Sequence, residues 1–91
     1  MTKLQRNIAH AINTRSDWND RNRTTITFRN GVGMLYYKGD LIAKIDKHHV
    51  VRINLDFVRR FPTPAVIDRL QAAGVDIKVH NNEIIYRGEI L

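Results

Sequence analysis

The 91-residue chain contains no cysteine. That excludes disulfides, thiolate zinc sites and cysteine nucleophiles, and it fits a reducing compartment. Its most apolar stretch, Val32 to Tyr37, falls far short of the roughly 20 apolar residues that a membrane span requires. Met1 to Arg15 is interrupted by Thr2, Lys3, Gln5, Arg6, Asn7 and His10. No signal-peptide core is expected there, and the cytoplasm is the simplest location. Ser16 is the only serine and sits in no G-x-S-x-G elbow. There is no P-loop, since Gly31-Val32-Gly33 reads as a turn followed by a strand glycine. Asp40, Asp46, Asp56 and His49 fall at scattered hairpin ends, without a spacing that would orient a metal-bound water. His48 and His49 are adjacent, so their side chains point apart, and a solvated turn is the expected reading rather than a metal site. No catalytic residue, metal or cofactor is expected.

Positive charge is what the chain does have. Fifteen Lys and Arg stand against nine Asp and Glu, a net charge of +6. With 43% hydrophobic and 26% charged residues, the composition is that of one small globular domain. A basic surface attracts polyanions, of which nucleic acid is the commonest, although an acidic protein surface would serve as well. The same charge also keeps a small domain in solution.

Apolar spacing at Leu4, Ile8, Ala11 and Ile12 predicts a helix over about Lys3 to Asn13, opened by a Thr2/Gln5 capping box. A polar loop is expected from Thr14 to Asn22. Alternation then predicts strands over Arg23 to Arg29, Val32 to Lys38, Leu41 to Asp46 and Val50 to Leu55. Asn30-Gly31 is the preferred dipeptide of a type I′ turn, and Gly39-Asp40 reads as another. Asp56 to Phe61 is ambiguous, and the four-residue spacing of Phe57 and Phe61 fits a single helical turn. Thr63 as N-cap, Pro64 as first helical residue and Gly74 as C-terminal stop bound a second helix, with Val66, Ile67, Leu70 and Ala73 buried. Val75 to His80 and Glu83 to Gly88 complete the strands, leaving Glu89-Ile90-Leu91 as a tail. The expected fold is α+β: a mainly antiparallel sheet of five to six strands with two helices on one face, in the order α-β-β-β-β-α-β-β.

Alternation also sorts side chains by face. With Leu41, Ala43 and Ile45 inward, Ile42, Lys44 and Asp46 point outward. Extended to every strand, this places Arg29, Lys44, Arg52, Lys78 and Arg87 together on one open face. Such a face would contact phosphates, with Thr25, Thr27 and Tyr36 or Tyr37 adding hydrogen bonds or stacking. The plainer alternative is that Asp46, Asp76 and Glu83 neutralise those bases across strands. Arg21 and Arg23, near Trp18, form a second basic cluster, although a lone Trp is more often a core plug. Trp18, Tyr36 and Tyr37 would instead anchor a protein partner. The final residues offer an edge for self-pairing into a homodimer.

Several short segments carry a resemblance. Asn13-Thr14-Arg15 precedes the first strand, and Tyr37-Lys38-Gly39-Asp40-Leu41-Ile42-Ala43 forms a hairpin. Thr63 to Leu70 ends in Asp68-Arg69-Leu70, and Gly74-Val75-Asp76-Ile77 follows. Together they make the chain, from Asn13 to about Ile77, resemble small accessory proteins of tailed bacteriophages. The resemblance implies a phage protein acting in the host bacterial cytoplasm, in host takeover or counter-defence, and assigns no activity to any residue. The expectation is a non-enzymatic basic protein that contacts nucleic acid, or else an inhibitor or adaptor on an acidic host protein.

Overall fold

A computed structural model describes residues 1–21 and 23–91; Asn22, where the expected polar loop ended, lies outside the described residues. The elements run α1 (Lys3–Thr14), β1 (Trp18–Asp20), β2 (Thr24–Arg29), β3 (Val32–Tyr37), β4 (Asp40–Ile45), β5 (Val51–Ile53), α2 (Leu55–Arg60), α3 (Pro64–Ala72), β6 (Ile77–His80), β7 (Glu83–Tyr86) and β8 (Glu89–Ile90). The α+β class and antiparallel pairing are those expected. The strands divide, however, into a five-stranded sheet in the order β1-β2-β3-β4-β5 and a separate three-stranded sheet, β6-β7-β8.

Local chemistry accounts for most boundaries. The Thr2 hydroxyl accepts the Gln5 N–H at 3.1 Å and the Gln5 side chain accepts the Thr2 N–H at 3.0 Å, closing the capping box of α1. The Thr63 hydroxyl caps α3 by accepting the Val66 N–H. At the other end of α3, the Gly74 N–H donates to the Gln71 carbonyl and the Val75 N–H to the Leu70 carbonyl, a Schellman closure that requires the positive φ of Gly74. Among the described residues four reversals place two consecutive residues at positive φ, as right-twisted hairpins require: Asn30-Gly31, Lys38-Gly39, Asn81-Asn82 and Arg87-Gly88. The second falls one residue before the expected Gly39-Asp40. The last turns the expected tail into β8 and takes Arg87 out of the strand.

β1 and β4 depart from expectation for identifiable reasons, and the helical turn read at Asp56 to Phe61 is a short helix, α2. β1 forms inside the expected loop because the Asp17 carboxylate accepts the Phe28 N–H at 2.7 Å, which seats Trp18–Asp20 beside β2. α2 forms because the Asn54 side chain caps it, accepting the Phe57 N–H. β4 carries a bulge opposite Leu35 and Tyr36: Ala43 pairs with Leu35, Leu41 pairs with Tyr36, and Ile42 is the extra residue. Ile42 and Ala43 are therefore both buried, at 0% and 1% exposure, and Leu41 turns to the other face. This reverses the expected assignment of Leu41 inward and Ile42 outward. Asn54 serves the bulge too, since its N–H donates to the Ile42 carbonyl and its Nδ2 to the Leu41 carbonyl, each at 2.8 Å.

One hydrophobic core joins both sheets. Ile8, Ala11 and Ile12 of α1, Val58 of α2, and Val66, Ile67 and Leu70 of α3 cover Ile26, Leu35, Ile42 and Ile45 of the larger sheet. Ile77 and Ile84 bring the smaller sheet into the same cluster. α1 and α3 pack on each other and on β2 and β4. Arg69 enters this buried layer, its Nε donating to the buried Thr24 hydroxyl at 2.7 Å and its guanidinium lying 4.3 Å from the centre of the Tyr37 ring. Among the described residues no helix is long and apolar enough to cross a membrane.

The helix–sheet junction is clamped by Arg15. It ends α1 in the left-handed region, φ 53, where glycine is usual. A side chain there costs on the order of 1 kcal/mol. Its guanidinium offsets that cost: Nη2 donates to the Gly31 carbonyl at 2.6 Å and the Asp46 carbonyl at 3.1 Å, joining both hairpin ends. It also lies over the Phe28 ring, 4.9 Å from the centroid. That ring covers Gly33 so closely that a Cβ there would come within 2.5 Å of it. Arg15→Ala and Arg15→Gly both lose the clamp, but only Gly relieves the backbone. Urea denaturation is expected to show Arg15→Ala as the less stable of the two by about 1 kcal/mol, with both below the parent protein.

Candidate nucleic-acid interface

All three helices lie against one face of the larger sheet, so register assigns the residues of the other. That open face carries Asn19 of β1, Thr25, Thr27 and Arg29 of β2, Val32, Met34 and Tyr36 of β3, Leu41 and Lys44 of β4, and Arg52 of β5. None of these residues is acidic, but the Asp17 carboxylate borders the face beside Thr25, Thr27 and Arg29, and the Asp46 carboxylate feels the charge of Arg52. One row crosses four strands, with Thr27 opposite Met34, Met34 opposite Lys44 and Lys44 opposite Arg52. Met34 and Tyr36 occupy the central strand and are half-buried, with the Tyr36 hydroxyl donating to the Met34 sulfur at 3.1 Å.

The expected basic face is thus smaller than alternation implied. Lys44 and Arg52 are exposed and directly opposed, and among the described residues neither makes an ion pair or a side-chain hydrogen bond. They flank a hollow of about 260 Å³, lined also by Leu41, Ala43, Ile53 and Asn54. Arg29 shares the face but is committed to Asp17 at 2.8 Å. Lys78 and Arg87 lie on the other sheet: Lys78 sits opposite Ile85, and Arg87 occupies the β7–β8 turn over the Tyr86 ring. Alternation sorts faces within a sheet but does not say which strands share one.

Among the described residues Asp46, Asp76 and Glu83 make no ion pair with these bases, but the charge of Arg52 acts on the Asp46 carboxyl, so the neutralising alternative holds in part there. The Asp46 carboxylate also accepts the His48 and Val50 N–H groups at 2.8 and 3.0 Å and so shapes the β4–β5 loop. His49 in that loop faces the Arg15 guanidinium. Among the described residues no three potential metal ligands gather.

The remaining candidates separate. Trp18 is half-buried and packs against the core opposite Ile26. Arg21 is exposed just beyond β1, and Arg23 is exposed at positive φ, its carbonyl accepting the Lys38 N–H. Tyr36 and Tyr37 point to opposite faces. Tyr37 lines a groove of about 500 Å³ with Phe57, Phe61, Pro64, Ala65 and Val66. Phe61 is 50% exposed and its ring centre lies 5.1 Å from that of Phe57. The Phe57/Phe61 spacing was visible in the sequence, but the groove needs α3 and the β3–β4 turn to complete it. β8 forms the outer edge of the smaller sheet, with Ile90 exposed.

These features define an α+β protein whose larger antiparallel sheet is sealed by helices on one side and open, basic and partly aromatic on the other. No family model, no curated protein and no solved structure matches the chain.

The carboxyls bordering this face predict its acid response. Asp17 is held below its ordinary value of 3.8 by the Arg29 hydrogen bond and then by the Phe28 N–H. Asp46 is held below 3.8 by the Val50 and His48 N–H groups and, less strongly, by the nearby charge of Arg52. Lowered carboxyls contribute stability above their unfolded values and lose it as pH falls through their folded ones. Urea midpoints are expected to hold down to about pH 5 and fall below about pH 4. Asp17→Ala and Asp46→Ala should lower the neutral plateau and make the acid decline shallower.

Proposed function

We propose that the protein is a non-enzymatic module that binds nucleic acid through the open face of its larger sheet. The observation that carries this reading is the Lys44–Arg52 pair, directly opposed across β4 and β5, exposed and without an ion pair among the described residues. Like charges placed directly opposite destabilise a sheet. A phosphate held between them would relieve that repulsion, and each contact would release a condensed counterion. Met34, Tyr36, Thr25 and Thr27 supply the sugar- and base-facing surface beside the cations. The net charge of +6 adds a longer-range attraction. The resemblance to phage accessory proteins implies a setting for this activity, the cytoplasm of a bacterial host.

The second reading, an acidic host protein as partner, is favoured by a different place: the Phe57/Phe61 groove with its half-exposed ring. The two readings therefore respond to different substitutions. Fluorescence-polarisation titrations with labelled DNA and RNA over a salt series are expected to show binding that weakens steeply with salt. Lys44→Ala with Arg52→Ala should reduce the slope of log affinity against log salt by about 2. Lys78→Ala with Arg87→Ala, or Phe61→Ser, should leave it nearly unchanged. Equal loss from the Lys78/Arg87 variant would overturn the assignment to this face.

A further inference from the structure

Resting on that reading, we infer that the ligand is single-stranded, with a base stacked on the Tyr36–Met34 surface and the adjoining phosphates held by Lys44 and Arg52. Tyr36 and Met34 stand two residues apart on the central strand, on the same face. The hydrogen bond from the Tyr36 hydroxyl to the Met34 sulfur lays the ring along the strand instead of upright from it. Ring and thioether thereby form one low apolar surface. Their neighbours on β2 are the short Thr25 and Thr27. Among the described residues no element covers this surface, because α1, α2 and α3 contribute their buried apolar residues to the core beneath the opposite face.

The cations lie to one side of this surface, on β4 and β5. With strands about 4.8 Å apart, the Lys44 and Arg52 backbones stand about 5 and about 10 Å from the line of Tyr36 and Met34. A nucleotide presents the same two parts side by side, an apolar base face and a charged phosphate. Only an unpaired strand can offer both here, since base pairing and stacking in a duplex hide the base faces. Reading a duplex through its major groove calls for a helix or a two-stranded ribbon that projects into it. This face projects neither. Aromatic stacking beside a basic track is the arrangement that holds single strands with little sequence preference.

The test uses the full chain and two fluorescein-labelled probes, a single-stranded oligonucleotide of about 12 nucleotides and the corresponding duplex, as DNA and as RNA. The single strand is expected to bind at least tenfold tighter than the duplex. Tyr36→Ala should weaken single-strand binding by about 5- to 100-fold and duplex binding little. Tyr36→Phe, which keeps the ring but loses its bond to Met34, should fall between the parent and Tyr36→Ala, and Tyr36→Leu, which keeps apolar bulk without the ring, should behave like Tyr36→Ala. Circular dichroism checks that each variant is folded. Equal or tighter duplex binding that still depends on Lys44 and Arg52 would overturn the single-strand inference and leave the nucleic-acid reading standing. Single-strand binding indifferent to both Tyr36→Ala and Tyr36→Leu would overturn the stacking role. Binding of neither probe, or binding untouched by Lys44→Glu with Arg52→Glu, would overturn both.

Discussion

A sheet whose helices all lie on one side must leave its other side to water, and that constraint organises this protein. Most of the largest buried side chains, among them Ile8, Ile26, Leu35, Ile42, Ile45 and Leu70, converge between the helices and the inner face of the larger sheet. Each contributes roughly 1.5–3 kcal/mol by leaving water. Among the described residues no helix remains to cover the outer face. That face must be stable while wet, and threonines at its β2 positions suit a solvated pleat. Lys44 and Arg52 stand opposed there without an ion pair among the described residues, and the proposed ligand is what would bring them a counter-charge.

The same constraint gives weight to a few polar residues that tie the layers together. Arg15 leaves the end of α1 to join both hairpin ends at Gly31 and Asp46. Asn54 satisfies the carbonyls at the β4 bulge and caps α2 in the same move. Arg69 reaches from α3 to the buried Thr24 and lies on Tyr37. All three act on the inner side or at the ends of the sheet. They fix the strands that carry Met34, Tyr36, Lys44 and Arg52 without occupying the face those residues present. A face held rigid from behind loses little entropy on binding.

How much of this could be read from the residues follows from the range over which each feature is determined. The capping box at Thr2, the Thr63-Pro64 start and Gly74 stop of α3, and the Asn30-Gly31 turn depend on neighbours within a few positions, and all were legible. So were the outward Lys44 and Arg52. The bulge was not, because Leu41, Ile42 and Ala43 are all apolar and alternation cannot say which two go inward. β1 was not, because a side chain at Asp17 fastens it to Phe28 across the intervening turn. The division into two sheets was missed for the same physical reason: pairing after α3 is set by packing between distant segments. That division separates Lys78 and Arg87 from Lys44 and Arg52. Arg69 was missed because an arginine in a helix reads as a surface residue until Thr24 and Tyr37 are brought around it.

The most direct test of the central claim is where a ligand touches the molecule. Backbone amide chemical shifts of the isotopically labelled protein, followed while a single-stranded oligonucleotide is added, report this residue by residue. The account predicts shifts concentrated in β2 to β5, around Thr25, Met34, Tyr36, Lys44 and Arg52. Shifts concentrated in β6 to β8, or around Phe57 and Phe61, would contradict it.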